Sequence, residues 1–255
     1  ILERNNYLNT DLSLDVFNLG FRTKHGFVSF SHRIRAFESF TYSRDLLQLV
    51  ANGNASFLGQ DNPANLNIGL STKAYQDFSL GWQMNITEEL NVGVRMKLLM
   101  GIADARANVN GKLYTDPDSY ALRLTAGADG KAALPFNLFT ANGEIDYQAF
   151  DGFDINQLLR NFGGGIDLGA EYQINDQWGV AAAVNDLGWI TWNSNPTRFE
   201  ASLKDGGSFY HDGGIEFTGL TEDQINGMID NPDYLSQLAD SLMGYVGFDV
   251  DRDRK

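Results

Sequence analysis

Residues 163–192 decide the fold of this chain, and they read GGGIDLGAEYQINDQWGVAAAVNDLGWITW. The pattern predicts two long strands joined by a short turn at Asn175-Asp176-Gln177. In the first strand, apolar and polar side chains alternate with a period of two, which places them on opposite faces. The apolar face carries Ile166, Leu168, Ala170, Tyr172 and Ile174. Such a strand has one face suited to an apolar environment and one suited to water.

Residues 78–102 repeat the design around a second tight turn, Thr87-Glu88-Glu89. Apolar residues occupy every second position over residues 78–86 and again over residues 90–102. With a rise of about 3.3 Å per residue and a tilt near 40°, the second of these strands is about 33 Å high. That height matches a lipid bilayer, whereas a strand of a soluble sheet needs only about five or six residues. The pattern predicts an all-β fold, an antiparallel transmembrane β-barrel.

The rest of the chain alternates less regularly. Strands are predicted at residues 11–23 (with a bulge near Phe17), 27–40, 65–86, 90–103, 198–203 and 209–217, and helices at 43–51, 155–161, 221–229 and 233–245. Ser43 is the predicted N-cap of the first helix. Alternation resumes over residues 120–126, and Asp129-Gly130 has the composition of a hairpin turn. The short turns at 24–26, 87–89 and 175–177 are predicted to lie at one end of the sheet, with the long connections at the other, as in outer-membrane barrels.

Residues 1–255 are predicted to form a single barrel domain with short loop helices. About six strands would cross the membrane, and more if residues 119–140 contribute. Residues 104–162 and 193–255 are interpreted as extracellular or plug-like excursions. The chain starts at Ile1, so we expect a partial barrel from a longer protein whose precursor carries a signal peptide.

Composition excludes several classes of protein. The net charge of −14 disfavours a nucleic-acid partner, because phosphate binding needs a basic surface. With no cysteine, the chain has no disulfide, no thiolate metal site and no cysteine nucleophile. No run approaches the roughly 18 apolar residues of a membrane helix, so any membrane-spanning structure must be a barrel.

Several segments are similar to a known family. They read SRDLLQLVANGN (43–54), NVGVRMKLLMGIADARAN (91–108), GGGIDLGAEYQIND (163–176), VNDLGWITW (184–192) and GIEFTGL (214–220). In this order they resemble a Bacteroidota outer-membrane β-barrel family of unknown function. The resemblance implies a barrel related in shape to the fatty-acid-channel and secretion-associated barrels. It implies no catalytic residues.

Metal and catalytic motifs are weak. The spacing of Asp249, Asp251 and Asp253 matches the first three ligands of a calcium loop, but Arg254 stands where that loop requires glycine. A solvated acidic loop is the alternative. His211-Asp212 could be an acid–base pair, but one dipeptide in a glycine-rich loop is a weak signal. We therefore expect no enzyme activity, no resident metal and no cofactor.

If the strands form a barrel, their polar faces line its lumen, where opposite charges can pair across the interior. The lumen-facing candidates are Arg33, Arg35, Arg95, Lys97, Asp167 and Glu171. Structural pairing inside a filled barrel is the alternative to a solute path. The candidates for an aromatic girdle at the membrane interface are Trp82, Tyr172, Trp178, Trp189 and Trp192. Aromatic residues in the core of a soluble sheet are the alternative.

Two functions from different classes follow. The first is a bacterial outer-membrane barrel in contact with lipid, acting as a channel or transporter for small or hydrophobic solutes or as a secretion-associated barrel with a lipoprotein or secretion partner. The second is a soluble secreted β-sandwich for adhesion or glycan binding. Folding without detergent distinguishes them, because only the sandwich covers its apolar faces with a second sheet.

Overall fold

The computed structural model describes residues 3–119, 121–140, 146, 148–203, 208–211 and 248–253. Its strands are β1 (Asn5–Thr23), β2 (Gly26–Ser43), β3 (Ala64–Asn65), β4 (Ile68–Asn85), β5 (Leu90–Thr115), β6 (Leu122–Ala133), β7 (Phe162–Asn175), β8 (Trp178–Thr191), β9 (Thr197–Leu203), β10 (Ser208–His211) and β11 (Phe248–Asp253). Its helices are α1 (Arg44–Asn52) and α2 (Ile155–Leu158), with 3-10 turns at Asn54–Ser56 and Ala149–Gly152. The named strands form one antiparallel sheet, which confirms the all-β prediction. The helices predicted at 221–229 and 233–245 lie outside the described residues.

Three long hairpins form as the alternation predicts: β1 with β2, β4 with β5, and β7 with β8. The predicted bulge in β1 lies between Asp15 and Phe17. Because β2 also pairs with β4 and β5 with β7, the three short turns meet at one end of the sheet. We call this the short-turn end. The order β1-β2-β4-β5-β7-β8 across it makes six long strands, each with one apolar and one polar face.

Strand β5 is long enough to serve two sets of neighbours. Its first part, from Leu90 to Met100, pairs with β7, and its second part, from Asp104 to Thr115, pairs with β6. The strand predicted over residues 90–103 thus continues to Thr115. The sheet forks at Gly101, between the two partners, and β7 and β6 continue on separate paths beside β5.

Asn161 holds the fork together. Its side chain is fully buried and donates a hydrogen bond to the Gly101 carbonyl oxygen at 3.2 Å. Its oxygen accepts hydrogen bonds from the backbone N–H groups of Asn193 at 2.7 Å and Ser194 at 2.9 Å. One amide therefore connects β5, the start of β7 and the segment that follows β8, at the point where the ladder between β5 and its neighbours is interrupted.

Beyond the fork the sheet continues through β6, β9 and β11, with β10 beside β6. The prediction of a hairpin turn at Asp129-Gly130 is wrong. Both residues lie inside β6, where they pair with Asn108 and Ala107 of β5. The turn preference of an Asp-Gly dipeptide is weak, and here the pairing of β6 with β5 on one side and with β9 on the other outweighs it.

The apolar face beyond the fork is covered. The ring of Phe139 lies 5.5 Å from that of Phe199, which in turn lies over Gly130, and Phe136 is also buried. Helix α1 begins after Ser43, as predicted, but the Ser43 hydroxyl does not cap it. That hydroxyl instead donates to the carbonyl oxygen of Asn65 at 2.5 Å. This end of the sheet thus has an ordinary protein interior.

Burial is reversed on the six long strands at the short-turn end. Asp77 and Ser79, on the polar face of β4, are each only 3% exposed. Leu14 of β1 and Leu187 of β8, on the apolar face, are each 62% exposed. On the inner strands the polar face is therefore the sheltered one, while the apolar face is open on all six strands.

The sheet does not close into a barrel. Among the described residues, β1 pairs only with β2 and β8 only with β7, so the outer edges of both strands are free. The described strands therefore form an open antiparallel sheet, and a partial barrel in a membrane stays a prediction. No helix in the described part of the chain is long and apolar enough to cross a membrane.

Candidate functional site

The polar face of the six long strands is the candidate site, and we call it the concave face. Cross-strand pairing puts Ser29, Gly81, Arg95 and Asp167 in one row, from β2 through β4 and β5 to β7. Directly paired residues point to the same side of a sheet. The register therefore places these side chains on one surface.

A network of ion pairs crosses this face. The ammonium group of Lys97 lies 2.7 Å from an Asp167 oxygen and 2.5 Å from an Asp186 oxygen. The other Asp186 oxygen accepts a hydrogen bond from Arg35 at 3.1 Å, and Arg35 also lies 3.9 Å from Asp11. We call Arg35, Lys97, Asp167 and Asp186 the bridging cluster. It joins β2 to β5, β7 and β8 through side chains alone.

The bridging cluster shows that the sheet is strongly curved. Strands β2 and β8 are separated by β4, β5 and β7. In a flat sheet this order would hold them about 19 Å apart, at about 4.8 Å per strand. The direct contact between Arg35 and Asp186 is possible only because the sheet curls around its polar face. The polar side chains therefore lie on the inside of the curve.

A bulge in β8 supplies Asp186. Ile166 pairs with Leu187 and Leu168 pairs with Val184, so Asp167 stands opposite an extra residue in β8. Asp186 lies in this bulge and has a φ of 59°, in the left-handed region that few non-glycine residues adopt. Its backbone N–H donates to Asp167 at 2.7 Å. The bulge thus turns a second carboxylate toward Lys97, as bulges near functional sites often re-aim a side chain.

The ion pairs differ in shielding from water. The Lys97 side chain is 6% exposed and that of Asp167 is 14% exposed. The pair between Arg33 and Asp15, at 2.6 Å, is much more open, with side chains 31% and 60% exposed. Removing one partner of a buried pair leaves an uncompensated charge and costs about 3–5 kcal/mol, whereas an exposed pair contributes about 0–1 kcal/mol. The bridging cluster is therefore the strongly coupled part of this face.

Two cavities lie on either side of the bridging cluster. The turn-side cavity has a volume of about 420 Å³ and is lined by residues of all six long strands, among them Asn18, Ser29, Arg95 and Asn185. The loop-side cavity, of about 320 Å³, is lined by Lys73, Tyr75, Lys97, Asp186 and Trp192 with their neighbours. The cluster separates the two, so the concave face holds an interrupted polar path.

The predicted lumen-facing residues all fall on the polar face by register, but the structure brings only some of them together. Lys97 and Asp167 are paired directly, and Arg35 joins them through Asp186. Arg33 pairs separately with Asp15. Within the described part of the chain, Arg95 has no carboxylate within 4.0 Å, and Glu171 is exposed near the short-turn end.

The sequence reasoning missed Asp186, which has two cationic partners. A strict alternation starting from the turn would place Asp186 on the apolar face with Val180 and Val184. The bulge changes the phase of β8 at this point, and only the pairing with β7 reveals it. The two polar residues side by side within an otherwise apolar strand are the one signal that could have indicated an irregularity.

Four of the five girdle candidates expose their rings: Trp82, Tyr172, Trp178 and Trp189, the last being 69% exposed. Trp192 is placed differently. A Cβ atom added to Gly101 would lie 2.4 Å from its Cζ3 atom, so the indole lies over Gly101 at the fork. Tyr75, across the ladder from Gly101, lies on the polar side. A girdle at a membrane interface stays a prediction for these residues.

The predicted calcium residues do not lie in a loop. Asp249, Asp251 and Asp253 belong to β11, which pairs with β9 from Phe248 to Asp253. Because a calcium loop curls its backbone around the ion and an extended strand does not, the predicted loop is wrong, and calcium binding by these carboxylates stays a prediction. His211 is the last residue of β10, and Asp212 lies outside the described residues.

Comparison with known proteins places the chain in a family. A family described as "Family of unknown function (DUF5723)" matches residues 1–255. No curated protein and no solved structure matches the chain. Because the match extends over the entire sequence, the chain belongs to the DUF5723 family.

Proposed function

We propose that this chain forms the curved wall of a bacterial outer-membrane β-barrel that conducts small polar solutes, with the apolar face toward lipid and the concave face lining the lumen. The observation that carries the proposal is the burial pattern of the six long strands: large apolar side chains are open on every one of them, while Ser31, Asp77 and Ser79 on the polar face of the inner strands β2 and β4 are buried. A protein folded in water buries its apolar side chains, because their transfer out of water is the main driving force of folding.

The size of the open apolar face supports the proposal. About twenty large apolar side chains of these strands are each more than about a third exposed. At roughly 80 Å² each, about half of what a buried aromatic residue covers, they expose roughly 1,600 Å². The largest apolar patch of a typical soluble monomer is only about 300–600 Å². The face is therefore too large to leave in water.

The height of this face also suits a bilayer. On β1 it extends from Leu8 to Phe21, which at about 3.3 Å per residue and a tilt near 40° corresponds to about 33 Å. The aromatic residues Trp82, Tyr172 and Trp178 stand close to the short-turn end, where a membrane interface would lie. In a bilayer the free edges of β1 and β8 must also be paired, with each other or with further strands, because lipid cannot satisfy backbone polar groups.

The lining of the cavities favours polar over hydrophobic solutes. The cavities on the concave face carry charged, amide and hydroxyl side chains, whereas the apolar groove of about 460 Å³ beside Trp82 and Val184 is on the opposite face. A secreted β-sandwich would need a second sheet over the apolar face, and the described strands form a single sheet. Outer-membrane lipid is the partner that this proposal requires. No described residue indicates a contact surface for a lipoprotein or secretion partner.

Fluorescence quenching tests the orientation of the two faces. Variants that keep a single tryptophan at Trp82, Trp178 or Trp189 are reconstituted in phosphatidylcholine vesicles with brominated acyl chains. We expect strong quenching for these three, since their rings are open on the strands. The matched control keeps only Trp192, which lies over Gly101 at the fork, and should be quenched weakly. Equal quenching of all four, or a monodisperse protein in buffer without detergent, would refute the membrane orientation.

Planar-bilayer recording tests conduction. The reconstituted protein should show discrete current steps in a salt gradient, at low conductance, because the bridging cluster crosses the path between the cavities. Quenching by brominated lipid without any measurable current would support the membrane barrel and refute conduction.

A further inference from the structure

We propose that the turn-side cavity is a binding site for a small hydroxylated organic monoanion, a carboxylate held by Arg95. The inference deepens the proposed function, since the bound anion would be a permeating solute of the lumen. It begins from the charge pairing of the concave face. Arg33, Arg35 and Lys97 each have an aspartate within 4.0 Å, whereas Arg95 has no such partner among the described residues.

The position of Arg95 explains why it is unpaired. Its register partner on β7 is Asp167, but that carboxylate is already held by Lys97 and by the backbone N–H of Asp186. The Nε atom of Arg95 lies 3.6 Å from the point where a Cβ of Gly81 would stand, so the guanidinium leans toward β4, away from β7. Its hydrogen-bond donors therefore remain available on the cavity side.

Gly81 makes the room for this arrangement. A Cβ at residue 81 would lie 2.5 Å from the Ser29 hydroxyl oxygen, as well as close to Arg95. Because residue 81 has no side chain, the Ser29 hydroxyl and the Arg95 guanidinium both lie close to its backbone. We call this part of the cavity wall, formed by Ser29, Gly81 and Arg95, the floor. Since an arginine guanidinium matches the two oxygens of a carboxylate with a planar pair of donors, this floor is suited to a carboxylate end.

The remaining lining indicates the rest of the ligand. Asn18, Ser29, Gln83 and Asn185 supply neutral amide and hydroxyl groups from four different strands, which suits a solute with several hydroxyls. Asp167 lines the same cavity and would repel a second negative charge, so a monoanion fits better than a dianion. The volume of about 420 Å³ lies in the range of small-molecule sites, about 300–1,000 Å³.

Arginine modification measures this site directly. The detergent-solubilised protein is treated with phenylglyoxal without added anion, and with gluconate, chloride or inorganic phosphate at one common ionic strength, and the modified arginines are quantified by peptide mass spectrometry. We expect Arg95 to react faster than Arg33, its ion-paired control on the same face. Gluconate at ten times its dissociation constant should slow the Arg95 reaction about ten-fold by mass action, with no effect on Arg33.

A substitution of the floor provides the second measurement. Gly81→Ala should abolish gluconate protection of Arg95 while the Arg33 rate reports that the sheet is intact. Protection by chloride equal to that by gluconate would reduce the site to general screening, and stronger protection by inorganic phosphate would overturn the monoanion. Equal Arg95 rates with and without gluconate would overturn the site altogether. These measurements are made in detergent and do not depend on lipid. Failure of the anion site can therefore be distinguished from failure of the membrane proposal.

Discussion

Replacing Lys97 with methionine tests whether the bridging cluster holds the curved sheet together. Methionine keeps the unbranched chain but removes the ammonium group that lies 2.7 Å from Asp167 and 2.5 Å from Asp186. Asp167 is then left almost buried with no cation beside it. Because breaking a buried pair from one side costs about 3–5 kcal/mol, we expect the free energy of unfolding to fall by that amount. Urea titration of the protein in vesicles, followed by tryptophan fluorescence, measures it.

The control uses the second ion pair of the same face. Arg33→Met removes the partner of Asp15, which is well exposed, so its cost should be only about 0–1 kcal/mol. Adding Asp167→Asn to Lys97→Met should recover more than half of the loss, because Asp186 keeps Arg35 and the asparagine oxygen can still accept the Asp186 N–H. If the two methionine variants lose equal stability, burial does not govern these pairs and the reasoning is refuted.

Three further changes test other parts of the structure. Asn161→Ala should cost about 3 kcal/mol in the same unfolding assay, because it leaves buried backbone N–H groups without an acceptor; a cost below 1 kcal/mol would contradict the role of this residue at the fork. Asp186→Asn should raise single-channel conductance, since it releases Arg35 from the ion-pair network that crosses the path, while Asp15→Asn should leave it unchanged. Hydrogen bonds from the backbone and side chain of Ser119 hold the pKa of Asp116 below that of an ordinary aspartate. The ionised carboxylate therefore stabilises this turn at neutral pH, and the stabilisation is lost as the pH falls through the lowered pKa. Ser119→Ala should raise the pKa in an NMR titration, and an unchanged value would exclude the hydroxyl as a cause.

The fork at Gly101 shows how small residues permit a complex sheet. Trp192 and Asn161 both approach the position that a side chain at residue 101 would occupy, at 2.4 Å and 2.9 Å. The backbone N–H of Gly101 donates to the Asn161 carbonyl oxygen at 2.9 Å, and the Gly101 carbonyl oxygen accepts from the Asn161 side-chain amide at 3.2 Å. A side chain there would displace the amide that joins β5, β7 and the segment after β8. The glycine is thus required by close approach and not by an unusual φ.

Local patterns predicted the elements well where the alternation was long. Residues 163–192 and 78–102 form the hairpins that their period of two indicates, and the bulge in β1 lies within two residues of its predicted place. Prediction failed where composition was the only guide. Asp129-Gly130 has turn composition and the Asp249 segment has calcium-loop spacing, but both lie in strands. Distant strand partners, which no short window contains, override such weak local preferences.

The sequence by itself determined that charged and apolar residues occupy opposite faces of long strands, because side-chain direction in a strand depends only on position parity. Only the tertiary structure decided which face is sheltered and which charges meet. Curvature brings Arg35 of β2 to Asp186 of β8, and a bulge turns Asp186 toward Lys97. Arg95, of the same parity as Lys97, is left unpaired because its neighbour Asp167 is already engaged. Parity is a local property, whereas pairing depends on the path of the entire sheet.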